Sequence, residues 1–193
     1  MKKLIAPILV AFACFAFSAC NNSTKKDKEA TTTLPDIKKV VDEHPGVNAG
    51  SGTFSITAPD GWSKKDTIIS GAKLTTISSP DDGNGDKFKE NVNVVTESAK
   101  GYDLKAYVTS NRTSMSGQIA SIQFLSDIEG TVGSEPAEVL LYSFNYSGYD
   151  LKNTAYFIVK NDIGYVITCT ALKTTFDRFQ KDFKTIVDSF KIN

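Results

Sequence analysis

Histidine and cysteine are nearly missing from this 193-residue chain, which has one histidine and three cysteines. The histidine, His44, stands between Glu43 and Pro45 in a polar stretch. A serine or cysteine nucleophile needs a base beside it, so no Ser-His-Asp or Cys-His constellation is expected. A zinc site needs several His or Cys ligands, more than the chain can bring together. No G-x-G-x-x-G or G-x-x-x-x-G-K-[ST] run is there to cradle phosphates. An excess of either charge is lacking too: 22 Lys and Arg balance 22 Asp and Glu. That leaves no basic field to gather nucleic acid and no Lys/Arg cluster to read anionic lipid. Beyond residue 20, no apolar run approaches the ~18 residues of a membrane span. No cofactor is expected. Carboxylate chemistry stays open, because the Asp/Glu pair of a glycoside hydrolase need not be close in sequence; nothing in the chain singles out such a pair.

The N-terminus is what remains once these classes are set aside. Met1-Lys2-Lys3 precedes an apolar run from Leu4 to Phe17, and small residues follow. This is the layout of a secretory signal. The small residues lead directly into a cysteine, and Phe17-Ser18-Ala19-Cys20 resembles the lipobox of bacterial lipoproteins, with Phe17 where Leu is usual. The resemblance implies that the Cys20 sulfur takes a diacylglycerol, that residues 1–19 are removed, and that Cys20 becomes the N-terminus. The expected location is the bacterial cell envelope, lipid-anchored to a membrane on the periplasmic or outer face. Cys14 would leave with the signal, so Cys169 has no partner and the core must form by apolar burial alone. Without Lys2 and Lys3, 20 basic residues face 22 acidic ones, a net of −2.

Residues 20–50 read as a polar tether and residues 51–193 as one globular domain, a common size. The tether is rich in Asn, Thr, Lys, Asp and Glu and cannot bury enough apolar surface to order itself. Within it, Pro35 with Ile37, Val40 and Val41 on one side predicts a short helix ended by Pro45-Gly46.

In the body, Thr53–Ala58 alternates apolar and polar residues as a half-buried strand does, and Pro59-Asp60-Gly61 turns the chain. Trp62 is expected to plug one end of the core. Further strands are predicted at Ala72–Ser78, Asn91–Thr96, around Ile122, Phe124 and Ile128, and at Glu138–Tyr146, Thr154–Val159 and Tyr165–Ala171. Asn161-Asp162-Ile163-Gly164 reads as a hairpin loop that makes the last two antiparallel. Asp103 can cap a helix whose Leu104, Tyr107, Val108, Asn111 and Met115 share a face. The closing segment is the clearest: Phe176, Phe179, Phe183, Ile186, Val187 and Phe190 form an apolar stripe, and Thr174 with Asp177 resembles a capping box. The order predicts α+β, a central antiparallel sheet of about six strands with helices on both faces.

Phe54-x-Ile56-x-x-Pro59-x-Gly61-Trp62, the Asp103–Met115 helix, the three long strands and the Phe-rich last helix together resemble the PsbP-like family, which includes DcrB-related bacterial lipoproteins. The resemblance implies an α/β/α sandwich and a binding or assembly role, and it carries over no catalytic residue.

Candidate sites are few. Asp82, Asn84 and Asp86 supply oxygens at alternate positions as calcium loops do, but Lys87 and Asn93 stand where an EF-hand needs Gly and Glu. Tyr102, Tyr146 and Tyr149 lie near strand ends and are candidates for a contact surface. Cys169 reads as a buried, inert thiol. The leading expectation is a non-catalytic, membrane-anchored module that binds an envelope protein or small ligand, with no nucleic acid. The alternatives are an envelope hydrolase using a carboxylate pair and a calcium-binding module.

Overall fold

A computed structural model of the chain describes residues 52–69, 72–81 and 88–193. Cys20, the tether helix, His44 and the Asp82-Asn84-Asp86 loop lie outside the described residues.

Among the described residues nine strands and two helices follow in the order β1 (Phe54–Ser55), β2 (Ser63–Ile69), β3 (Ala72–Ser78), β4 (Asn91–Ser98), α1 (Leu104–Gln118), β5 (Gln123–Val132), β6 (Glu135–Tyr146), β7 (Tyr149–Lys160), β8 (Ile163–Leu172), α2 (Phe176–Asp188) and β9 (Lys191–Ile192). Seven strands form one antiparallel sheet in the order β2-β3-β4-β8-β7-β6-β5, and β1 pairs with β9 apart from it. The architecture is α+β, with α2 on one face of the sheet and α1 on the other. Among the described residues, no helix is long and apolar enough to cross a membrane.

Strand alternation sorts side chains onto two faces, and each face has its own helix. On one face Ile77, Val92, Val94, Ile158, Ile167, Cys169 and Ala171 meet the phenylalanine stripe of α2. Trp62 stands edge-on to Phe179 and Phe183, with centroids 6.1 and 6.3 Å away. Phe54 of β1 lies 5.6 Å from Phe190, so the small β1–β9 sheet clamps the end of this layer. Burial of each phenylalanine is worth roughly 1.5–3 kcal/mol. On the other face α1 lies over β6 and β7, its Tyr107, Val108 and Met115 packing with Leu140, Tyr142, Phe144, Leu151 and Phe157. Asp103 caps α1, its Oδ1 accepting from the Ala106 N–H at 2.8 Å.

Several sequence expectations need correction. The sheet has seven strands rather than about six, because Ser63–Ile69 forms an edge strand. That segment carries Lys64, Lys65 and Asp66 and an exposed Ile68, so no apolar period announces it. Of Thr53–Ala58 only Phe54–Ser55 is strand, and its partner is β9. The expected capping box at Thr174 is absent. The N-cap is Thr175, which makes no side-chain cap. Its hydroxyl donates instead to Glu90 Oε1 at 2.6 Å, tying the start of α2 to the chain just before β4. Ile128 is in strand as expected but 59% exposed, since β5 is the sheet's other edge.

Candidate functional site

The two faces differ in chemistry. Opposite the apolar α2 layer, the face toward α1 carries Thr76 on β3, Asn91 and Asn93 on β4, Thr168 and Thr170 on β8, and Asn153 on β7, all buried. The ladder places them side by side: Thr76 opposite Asn93, Asn93 opposite Thr168, Asn91 opposite Thr170, and Thr170 opposite Asn153. Buried amides and hydroxyls are costly unless hydrogen-bonded. All of this band but Asn153 meets that need. Thr76 Oγ1 donates to Asn93 Oδ1 at 2.7 Å, Asn93 Nδ2 donates to Asn91 Oδ1 at 2.7 Å, and Asn91 Nδ2 donates to the Lys89 carbonyl at 3.0 Å. The band ends at Asn153, which is 0% exposed and whose Nδ2 and Oδ1 both lack a partner.

A second polar group lies on the same face toward the β7–β8 hairpin. Glu97 ends the α1-facing row of β4 and is 3% exposed. The hydroxyl of Tyr107 donates to its Oε1. Burial pushes the Glu97 carboxyl up from its ordinary value, while donation from Tyr107 and Asn111 holds it down in part. Burial also raises the Tyr107 phenol, and the Glu97 charge adds to that, so Tyr107 keeps its proton. Asn111 Nδ2 donates to the Tyr107 carbonyl at 3.0 Å, and its Oδ1 is buried without a partner. The site requires Gly164, opposite Glu97 on β8: a Cβ there would overlap the Tyr107 hydroxyl and ring. Among the described residues, every buried side-chain polar atom without a partner belongs to this interlayer. It presents unpaired amide donors and acceptors rather than a nucleophile with its base.

The expected tyrosines are divided. Tyr146 and Tyr149 are direct partners across the β6–β7 hairpin, and the Tyr149 ring lies tilted against Phe88, centroids 5.6 Å apart, at one end of the α1 layer. Tyr102 is at the other end, bonded through its N–H to the Ala99 carbonyl beside the β7–β8 hairpin. Ten residues of β7 separate these ends, roughly 33 Å. The three do not form one surface. Cys169 is buried, and burial pushes its thiol far up, as expected of an inert thiol.

A carboxylate pair exists that the sequence did not single out. Glu138 on β6 lies near Asp127 on β5, and burial first, then the interaction with the Asp127 carboxylate and its charge, push Glu138 up to about 7. Asp127 also takes the Arg112 guanidinium of α1 at 2.6 Å.

No family model matches this chain, and no curated protein matches it. Solved structures do match in fold. LpqN of Mycobacterium tuberculosis, involved in cell envelope biogenesis, superposes with a TM-score of 0.56 at 14% identity, covering 75% of this chain and 85% of that one. A protein of unknown function from Pseudomonas aeruginosa gives 0.54 at 15%, covering 72% and 96%. The cyanobacterial PsbP of Synechocystis gives 0.50 at 12%, covering 75% and 95%. The fold of this chain is PsbP-like.

Proposed function

We propose that this PsbP-like chain is a non-catalytic binding module of the cell envelope, held to a membrane through lipid on Cys20. Its ligand sits between α1 and the sheet. One observation carries the binding reading: the unpartnered buried amide atoms of Asn153 and Asn111 share a single interlayer, while among the described residues the α2 layer holds none. A protein that leaves such groups unpaired forgoes about 1–3 kcal/mol for each, a cost consistent with a site kept for a polar occupant. The occupant is uncharged and carries both a donor and an acceptor, since Asn153 offers one of each. The anchor rests on Phe17-Ser18-Ala19-Cys20, and the likeness in fold to LpqN supports the envelope setting.

Native mass spectrometry of the protein extracted from envelopes tests both parts. The expected result is acyl mass on an N-terminal Cys20, together with a non-covalent small-molecule mass that is absent from an Asn153→Val variant. A full-length N-terminus without acyl mass overturns the anchor. Wild type and variant with identical non-covalent mass overturn the binding site.

A further inference from the structure

The two ends of the sheet are not alike. Strands β2 and β5 are its edges, and among the described residues each pairs on one side only. The large apolar side chains left exposed among those residues all stand on these edges: Ile68 on β2, Leu125 and Ile128 on β5. An unpaired edge is a template for a further strand, and lysine is a usual way to blunt one. Strand β2 carries Lys64 and Lys65. Strand β5 runs for 10 residues without lysine, arginine or proline. Past the irregularity between Phe124 and Ser126 it keeps register with β6 from Ser126 to Val132, and residues 126–131 are exposed. Alternate residues of that run turn their N–H and C=O groups away from β6.

The β5 edge also has a sign. Asp127 and Glu129 flank Ile128, and the strand's alternation puts both on the face toward α1. Asp127 takes Arg112 at 2.6 Å, whereas Glu129 has no cationic partner among the described residues. Directly opposite Glu129 across the ladder is Glu138. Burial first, then Asp127, and also Glu129, push the Glu138 carboxyl up to about 7, against a smaller opposing effect of Lys105. We propose that β5 takes up an extended basic peptide strand of the pattern Lys-apolar-Lys, whose backbone continues the sheet, whose ammonium groups face Asp127 and Glu129, and whose apolar side chain lies beside Ile128. This is strand addition, in which the main chain supplies affinity and alternate side chains supply selectivity. A second copy of this chain fits the edge less well. Two-fold pairing of β5 with itself about Ile128 sets Asp127 against Glu129 twice, and like charges directly opposite are destabilising. This reading is independent of the α1 interlayer, and either can fail without the other.

The probe is the blocked peptide Thr-Val-Lys-Val-Lys-Val-Thr, which reads the same in both directions, titrated into the purified isotope-labelled chain and followed by NMR. The amides of residues 126–132 should shift, and alternate ones among them should exchange more slowly with solvent. The same peptide with Thr for Lys should bind about fivefold more weakly, and with Glu for Lys more weakly still. A Lys peptide N-methylated through its centre, which cannot extend the ladder, should not bind. Glu129→Lys changes an exposed side chain. It should leave circular dichroism unchanged, weaken the Lys peptide about fivefold and make the Glu peptide the tighter of the two. No shift along β5, equal binding of the Lys and Glu peptides, or an unchanged preference in Glu129→Lys overturns the proposal. So do shifts of the same amides with chain concentration alone, which would make a second copy the occupant.

Discussion

Replacing Asn153 by Val should stabilise the ligand-free protein, although Asn153 is completely buried in an inner strand. The amide atoms it removes have no partner. Each unsatisfied buried polar group costs about 1–3 kcal/mol, so removing both recovers roughly 2–6 kcal/mol. Valine adds a few tenths of a kcal/mol in strand preference, and imperfect repacking against Tyr142 and Thr170 takes back about 1 kcal/mol. The net expectation is about 1–5 kcal/mol. For a domain of this size that corresponds to a rise in Tm on the order of 10 °C. The assay is urea unfolding and calorimetry on chain freed of copurified ligand by unfolding and refolding, with wild type alongside. Asn153→Asp is the opposing control. It buries an unpaired charge and should cost several kcal/mol at neutral pH. Burial would raise that carboxyl, so its deficit should shrink as pH falls and grow as pH rises. If Asn153→Val instead loses about 1 kcal/mol or more, the amide is already satisfied in the empty protein and the reasoning is wrong.

Three further outcomes are expected. Gly164→Ala drives a methyl into the Tyr107 hydroxyl and breaks its bond to Glu97; overpacking and the orphaned carboxyl together should cost about 3–5 kcal/mol, and a urea-measured loss below about 1 kcal/mol would contradict that contact. Phe183→Ala opens the apolar layer beneath Trp62, Phe176 and Phe179 and should cost about 3–5 kcal/mol with an unchanged urea m-value. Glu138 is raised in the folded protein from 4.5 to about 7, so the folded state holds this proton more tightly than the unfolded one. Its contribution is full below pH 4.5 and is lost as pH rises through 7. Calorimetry should show wild type losing Tm relative to Glu138→Gln between about pH 5 and 8, by under about 1 kcal/mol because solvent screens the pair; parallel profiles would refute it.

The stabilising layer was legible in the sequence, and the candidate site was not. Phe176, Phe179, Phe183, Ile186 and Val187 recur at helical spacing, a local pattern that names its own buried face. Asn161 and Asp162 sit at positive φ in the hairpin turn, as their chemistry allows. Strand β2 escaped notice because an exposed edge strand needs no apolar period. Asn91 and Asn93 alternate with Val92 and Val94, which on sequence alone reads as one wet face. Only the ladder puts β4 inside the sheet, with both faces covered, and turns those asparagines into buried polar groups. Glu97 and Tyr107 lie on a strand and a helix, and only their packing joins them. Asn153 stands between Leu151 and Ala155 in an otherwise apolar row, a signal that a face-by-face reading of β7 would have caught.

An atomic-resolution diffraction map of the envelope-purified protein tests the central claim most directly. It should show non-protein density between α1 and the sheet, within hydrogen-bond distance of both amide atoms of Asn153. A map in which that amide is instead bonded to protein groups alone, with the interlayer closed over it, would contradict the assignment of this face as the binding site.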